Sequence, residues 1–116
     1  MIDFEFEFQY AEAKLPILRQ VGGGIPAGRC VVLCGGSGCG KSTLLKLMVR
    51  LYKPSYGTID IGGMDVSAVN LKAWRNMCGV VMQDGRLFND TVRNNIVLDD
   101  EYVDRERLAH CCEIAQ

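Results

Sequence analysis

One short stretch near the middle of the chain carries the clearest chemical signal in the sequence. The pattern G-x-x-x-x-G-K-S runs from Gly35 to Ser42 and has the spacing of a phosphate-binding loop. Its glycines let successive backbone amides point inward around an anion, because no Cβ blocks the approach. Lys41 would reach the β- and γ-phosphates, Ser42 would place its hydroxyl on Mg2+, and Thr43 would hydrogen-bond the α-phosphate side.

The residues that we expect to contact the nucleotide are consecutive. They are Gly35, Gly36, Ser37, Gly38, Cys39, Gly40, Lys41, Ser42 and Thr43. The alternative is a glycine turn followed by an ordinary solvated lysine. The flanking elements favour the loop: residues 30–34 predict a buried strand, and the apolar residues from Leu44 to Leu51 recur at helical spacing. A helix start offers free N–H groups and the positive end of the helix dipole, which together attract phosphate.

The cysteines predict apolar packing in a reducing compartment rather than disulfides or a metal site. The six cysteines form no C-x-x-C pair, and His110 is the one histidine, which argues against zinc. Cys39 is the exception, because it lies beside a lysine at a predicted helix start. We expect it to be a candidate for oxidation or alkylation.

Composition sets limits on the function. With 116 residues, 48% hydrophobic and 23% charged, the chain has the values of one small globular domain. A net charge of −1 gives no electrostatic footprint for nucleic acid or an anionic membrane surface. No apolar run approaches the ~20 residues that span a bilayer, and the acidic, aromatic start does not resemble a signal peptide. A membrane span would have to come from another segment or chain.

The front of the chain predicts strands. Residues 2–9 alternate apolar and polar, which indicates a half-buried antiparallel strand, and Tyr10 follows it. By pattern alone Tyr10 is more often a strand-end aromatic than a ligand contact. Residues 16–21 predict a second strand, residues 22–24 a glycine turn, and residues 58–61 a further strand, so that two separate strand pairs are available.

The rest of the chain predicts short helices and one more buried strand. Asn70 or Ser67, Asp90 or Thr91, and Asp104 are the expected helix caps. Residues 79–82 are an apolar run that would deliver Gln83 to the end of a strand, where open α/β sheets bind ligands. The sequence ends inside the last predicted helix without a stop signal, so we expect it to be cut.

These motifs together resemble the first half of the nucleotide-binding domain of an ABC transporter of the exporter type. The features that carry the resemblance are FQY at residues 8–10, GGSGCGKSTL at 35–44, YGTIDIGGMDV at 56–66 and VVMQDGRLFNDTVRNNI at 80–96. They cover nearly the whole chain. The sequence after Gln83 looks most like that of bacterial peptide or bacteriocin exporters that carry a peptidase domain.

The resemblance implies roles for residues outside the loop. Tyr10 matches the aromatic that stacks on adenine, and Gln83 matches the Q-loop glutamine that contacts Mg2+ and the attacking water. Leu87 and Phe88 match the region that meets the transmembrane domain, with core packing as the alternative. The family also implies a second nucleotide-binding domain as partner and a place on the cytoplasmic face of a membrane, the bacterial inner membrane for this subgroup.

The departures from the family pattern bear on mechanism. Gly36 and Cys39 stand where the family usually has proline and serine. The LSGGQ signature, the Walker B strand with its catalytic glutamate, and the switch histidine are absent from these 116 residues. Since phosphoryl transfer to water needs a positioned base and charge stabilisation, we expect the chain to bind ATP and Mg2+ through residues such as Lys41 and Gln83 without hydrolysing ATP by itself.

The predicted fold is an α/β P-loop NTPase with an incomplete RecA-like core, an antiparallel β subdomain and the start of a helical subdomain. Residues 1–83 would form the β subdomain and the core, and residues 84–116 the Q-loop and the helical start. Three other functions stay open: a soluble ABC-type ATPase, a small phosphate-loop kinase, and a truncated fragment without function.

Overall fold

The computed structural model describes residues 1–98 and 102–116. They form two compact units, Met1–Gly79 and Val80–Gln116. The first unit contains a four-stranded antiparallel sheet in the order β2-β1-β3-β4. The strands are β1 (Ile2–Phe8), β2 (Leu18–Ile25), β3 (Tyr56–Ile61) and β4 (Met64–Asp65).

β1 confirms the strand predicted from alternation. Phe6 and Phe8 are buried on one face, whereas Glu5 on the other face is exposed. β1 pairs with β2 on one side and with β3 on the other, so the strands predicted as two pairs join into one sheet. The phenylalanine face forms the floor of the hydrophobic core. The buried core residues are Phe6, Phe8, Leu18, Leu44, Leu47, Ile59, Val66 and Trp74.

The glycine turn predicted at residues 22–24 is wrong, because these glycines lie inside β2. Gly23 pairs with Phe4 across the ladder. A Cβ on Gly23 would lie 3.0 Å from Cζ of Phe4, so the phenylalanine ring fills the space above the glycine. An aromatic ring packed over a glycine stabilises it in a strand. This contact comes from the neighbouring strand, so the residues next to Gly23 in the sequence do not predict it.

Four helices and one 3₁₀ turn complete the described residues. They are α1 (Lys41–Met48), a 3₁₀ helix (Val66–Ala68), α2 (Leu71–Asn76), α3 (Val92–Val97) and α4 (Arg105–Ala115). α1 is shorter than the apolar spacing predicts: Arg50 has φ 57° and turns the chain out of the helix, and Leu51 is exposed. No helix among residues 1–98 and 102–116 is long and apolar enough to cross a bilayer.

The two buried strands predicted at residues 30–34 and 79–82 are wrong. Neither segment is a strand, and Val32 and Val81 are largely exposed. Strands buried on both faces of a parallel sheet need hydrogen-bonded neighbours. The sheet formed by the described residues contains only β1 to β4, so neither apolar segment has a strand to pair with.

Candidate functional site

The phosphate-loop pattern forms an irregular turn that leads directly into α1. Gly38 and Gly40 both have positive φ, at 76° and 98°. A Cβ on Gly40 would also lie 2.6 Å from Cδ2 of Leu18 in β2. Glycine is therefore required at this position for conformation and for close approach to the sheet.

The amino end of α1 differs from the other helix starts. Side-chain oxygens of Asn70, Thr91 and Asp104 cap α2, α3 and α4, as the sequence predicts among its alternatives. α1 follows Gly40 and has no side-chain cap and no acidic residue in its first turn. Its first amides are thus left available to an anion, and the helix dipole favours negative charge there.

Lys41 folds back over the loop. Its ammonium Nζ donates to the carbonyl oxygens of Gly35, at 2.7 Å, and Gly36, at 2.6 Å. It also lies 3.4 Å from Sγ of Cys39. The structure therefore holds a positive charge against the loop, and the exposed side chain of Ser42 follows in the first turn of α1. Ser37 and Cys39 are exposed as well.

Tyr10 lies beside the same helix. Its hydroxyl is 3.0 Å from Oγ1 of Thr43 in the first turn of α1. Its ring contacts Phe8 edge to face, with the centroids 4.8 Å apart, and Tyr52 in the same way at 5.3 Å. An open cleft runs past Tyr10 and Tyr52 and is also lined by Glu12 and Lys53. The fold thus brings two sequence-predicted site residues, Tyr10 and Thr43, into contact.

The carboxyl end of α1 is held by side chains that the sequence did not single out for this role. Nε1 of Trp74 donates to the carbonyl of Met48 at 2.9 Å, and Nη2 of Arg75 donates to the carbonyl of Arg50 at 2.7 Å. Nη1 of Arg50 donates in turn to the carbonyl of Val69 at 2.6 Å. The first two bonds satisfy carbonyls at the end of α1 and just after it, and the third connects Arg50 to the segment before α2.

The remaining predicted residues belong to the second unit. Gln83 lies exposed in a bend. Leu87 and Phe88 are also exposed, at 88% and 68%, so core packing, the alternative role for them, is not what the structure shows. Asn95 holds this segment in place: its Oδ1 accepts from the amide of Phe88 at 2.7 Å, and its Nδ2 donates to the carbonyl of Phe88 at 3.1 Å. Asn95 had no distinguishing signal in the sequence.

Comparison with known proteins identifies the family. The family model described as ABC transporter matches residues 18–115. The chain is 54% identical over 81 residues to the iron-sulfur clusters transporter atm1, mitochondrial, of Neurospora crassa. This alignment covers 70% of this chain and 11% of that protein. It is 45% identical over 96 residues to ATP-binding cassette sub-family B member 6 of Xenopus tropicalis, covering 82% of this chain and 11% of that protein.

A solved structure agrees with these relatives. The structure of a bacterial Atm1-family ABC exporter with ATP bound superposes with a TM-score of 0.88 at 34% identity, covering 97% of this chain and 20% of that one. The chain therefore belongs to the ABC transporter family. Within the family, it corresponds to part of the nucleotide-binding domain of Atm1-like and sub-family B exporters.

These relatives also bear on the predicted subgroup and on how much of an exporter the chain represents. The relatives named here give no support to the peptidase-containing bacteriocin subgroup. The chain spans about a tenth of the length of its curated relatives, at 11% of each of the two. Membership of the ABC transporter family implies nucleotide binding.

Proposed function

We propose that this chain binds ATP with Mg2+ as part of the ATPase subunit of an ABC exporter, which powers transport across a membrane. The observation that carries the proposal is the uncapped start of α1. There a glycine with φ 98° opens the helix, and Lys41 holds its ammonium against the loop carbonyls. An anion at this point would meet free amides and a nearby cation at once.

In this proposal, loop residues 35–43 bind the phosphates of ATP. The ammonium of Lys41 would exchange the carbonyls of Gly35 and Gly36 for β- and γ-phosphate oxygens, which are stronger acceptors because they are charged. The exposed hydroxyl of Ser42 suits Mg2+, which prefers oxygen ligands and keeps several waters. Gln83 would add an amide oxygen to Mg2+ and orient water without adding charge. Tyr10 would stack on the adenine.

The exposed pair Leu87 and Phe88 is the proposed contact to a transmembrane domain. These two large apolar side chains are 88% and 68% exposed, and a partner that buried them would remove apolar surface from water. The backbone of Phe88 is already fixed by hydrogen bonds to Asn95. A second nucleotide-binding domain would be the other partner. The location in this proposal is the cytoplasmic face of a membrane, for which the resemblance suggested the bacterial inner membrane.

The test is equilibrium binding of a fluorescent ATP analogue, with Mg2+, to the 116-residue chain and its variants. Lys41→Ala should weaken binding by at least tenfold, since a charge-assisted hydrogen bond contributes about 1.5–3 kcal/mol. Lys46→Ala is the matched control, because it removes the same charge from the last turn of the same helix. Its affinity should stay within about twofold. A wild-type chain that shows native far-UV circular dichroism but no binding would overturn the proposal.

Hydrolysis is a separate part of the proposal. The chain has no Walker B glutamate to orient or deprotonate water, so bound ATP should not turn over above the rate of a buffer blank. Phosphate release by the pure chain that disappears in Lys41→Ala would contradict this part while leaving ATP binding intact.

A further inference from the structure

The hydrogen bond between Tyr10 and Thr43 joins two parts of the chain that are 33 positions apart. Thr43 is only 5% exposed, so water has little access to its hydroxyl. A buried hydroxyl without a partner loses the hydrogen bonds that it would make in water. The phenol of Tyr10 provides that partner, and the bond therefore fixes one end of the tyrosine to the first turn of α1.

The ring of Tyr10 also packs against two aromatic neighbours, which contact each other as well. Phe8 meets it at an interplanar angle of 81° and Tyr52 at 90°, both in edge-to-face geometry. Aromatic pairs favour this geometry because the positive edge of one ring meets the negative face of the other. With its hydroxyl on Thr43 and its ring packed in a cluster with Phe8 and Tyr52, Tyr10 has little freedom to rotate.

Thr43 shares the first turn of α1 with Lys41 and Ser42, the residues proposed to hold the phosphates and Mg2+. We propose that the Tyr10 hydroxyl is a positioning group: it fixes the distance between the aromatic ring and the phosphate loop, so that one adenosine triphosphate contacts both. This inference rests on the proposed function. The hydroxyl acts through Thr43, whereas the ring itself would contact the base.

The experiment compares ATP with inorganic triphosphate, both with Mg2+, by isothermal titration calorimetry. ATP spans the ring and the loop, whereas inorganic triphosphate reaches only the loop. Tyr10→Phe keeps the ring and removes the hydroxyl. It should lower the affinity for ATP by about threefold to tenfold, the range of one neutral hydrogen bond. The affinity for inorganic triphosphate should stay within about twofold of the wild-type value. A variant that only loosened the fold would weaken both ligands alike.

Two further variants sharpen the test. Thr43→Val removes the other hydroxyl together with the phosphate contact proposed for it, so it should weaken the binding of both ligands. Adding Tyr10→Phe to it should lower the ATP affinity no further, because the bond between Tyr10 and Thr43 is already gone. Tyr56→Phe is the matched control, since Tyr56 is 75% exposed and its substitution should leave both affinities unchanged.

The positioning role would be overturned by an unchanged ATP affinity in Tyr10→Phe, or by equal losses of affinity for ATP and inorganic triphosphate. Additive losses in the double variant would do the same. Failure of the proposed function has a different signature, because the wild-type chain would then bind neither ligand, or would bind both independently of Lys41.

Discussion

Strand β1 and residues 30–34 are both short segments rich in strand-forming side chains, yet only β1 forms a strand. β1 has an antiparallel neighbour on each side, and its phenylalanines reach the core. Residues 30–34 are in irregular backbone, with Val32 at 81% exposure. The difference shows that hydrophobic side chains make a segment capable of forming a strand, whereas hydrogen-bonded neighbours decide whether the strand exists.

The largest expected effect is on stability. Phe6→Ala should lower the free energy of unfolding by about 3–5 kcal/mol, because it removes a ring that is 2% exposed from the centre of the core. Val32→Ala should change it by less than about 0.5 kcal/mol, since the side chain is already in water. Urea denaturation followed by circular dichroism measures both. A loss above about 1 kcal/mol for Val32→Ala would mean that residues 30–34 are packed after all.

The next prediction concerns thiol reactivity, which tests the exposure of residues 30–34 without an amino-acid substitution. Cys30 and Cys34 are exposed, whereas Cys78 is partly buried and burial raises the pKa of its thiol. A raised pKa leaves less of the reactive thiolate at neutral pH, so a maleimide should label Cys30 and Cys34 faster than Cys78. Peptide mass mapping after timed quenching gives the three rates.

The same labelling in denaturant is the control. The three rates should converge there, since unfolding removes the burial of Cys78. If Cys30 and Cys34 were protected in the native chain as strongly as Cys78, the segment would lie in a sheet in solution, as the apolar pattern predicted.

The elements predicted correctly are those whose evidence is local. The alternation of β1, the helix after the loop and the cap Asp104 each depend on residues a few positions apart, and each is present. The errors involve residues whose state depends on distant partners. Gly23 lies in a strand because Phe4 covers it, and residues 30–34 are exposed because no described strand pairs with them.

The candidate site divides in the same way. The G-x-x-x-x-G-K-S pattern predicted a turn that opens a helix, and a turn with this form is present. The contacts of the site were not predictable, because the bond of Tyr10 to Thr43 and the support of α1 by Trp74 depend on how the sheet and helices pack. The nucleotide-binding roles of these residues stay predictions that the binding experiments test.

The smallest expected effect comes from Asp65, where the chain leaves β4. Unlike residues 30–34, this exit from the sheet is fixed locally, since Oδ1 of Asp65 accepts from the amide of Ser67 at 2.7 Å. That backbone bond, then the Ser67 hydroxyl and more weakly Arg50, hold the pKa of Asp65 below its ordinary value of 3.8. A lowered folded-state pKa means that the ionised carboxylate stabilises the fold.

This contribution should be complete well above the ordinary pKa of 3.8 and disappear as the pH falls through the lower folded-state value. Asp65→Asn keeps the shape of the side chain and removes the charge, so wild type should melt at a slightly higher temperature than the variant at pH 7. The gap should close as the pH is lowered through the acid range below about 4, where the carboxyl protonates. No gap at pH 7 would mean that the local hydrogen bond, which asparagine can still accept, fixes this exit from the sheet by shape alone. A gap that stays constant down to pH 3 would also contradict the prediction, because the difference would then not come from the ionised carboxylate.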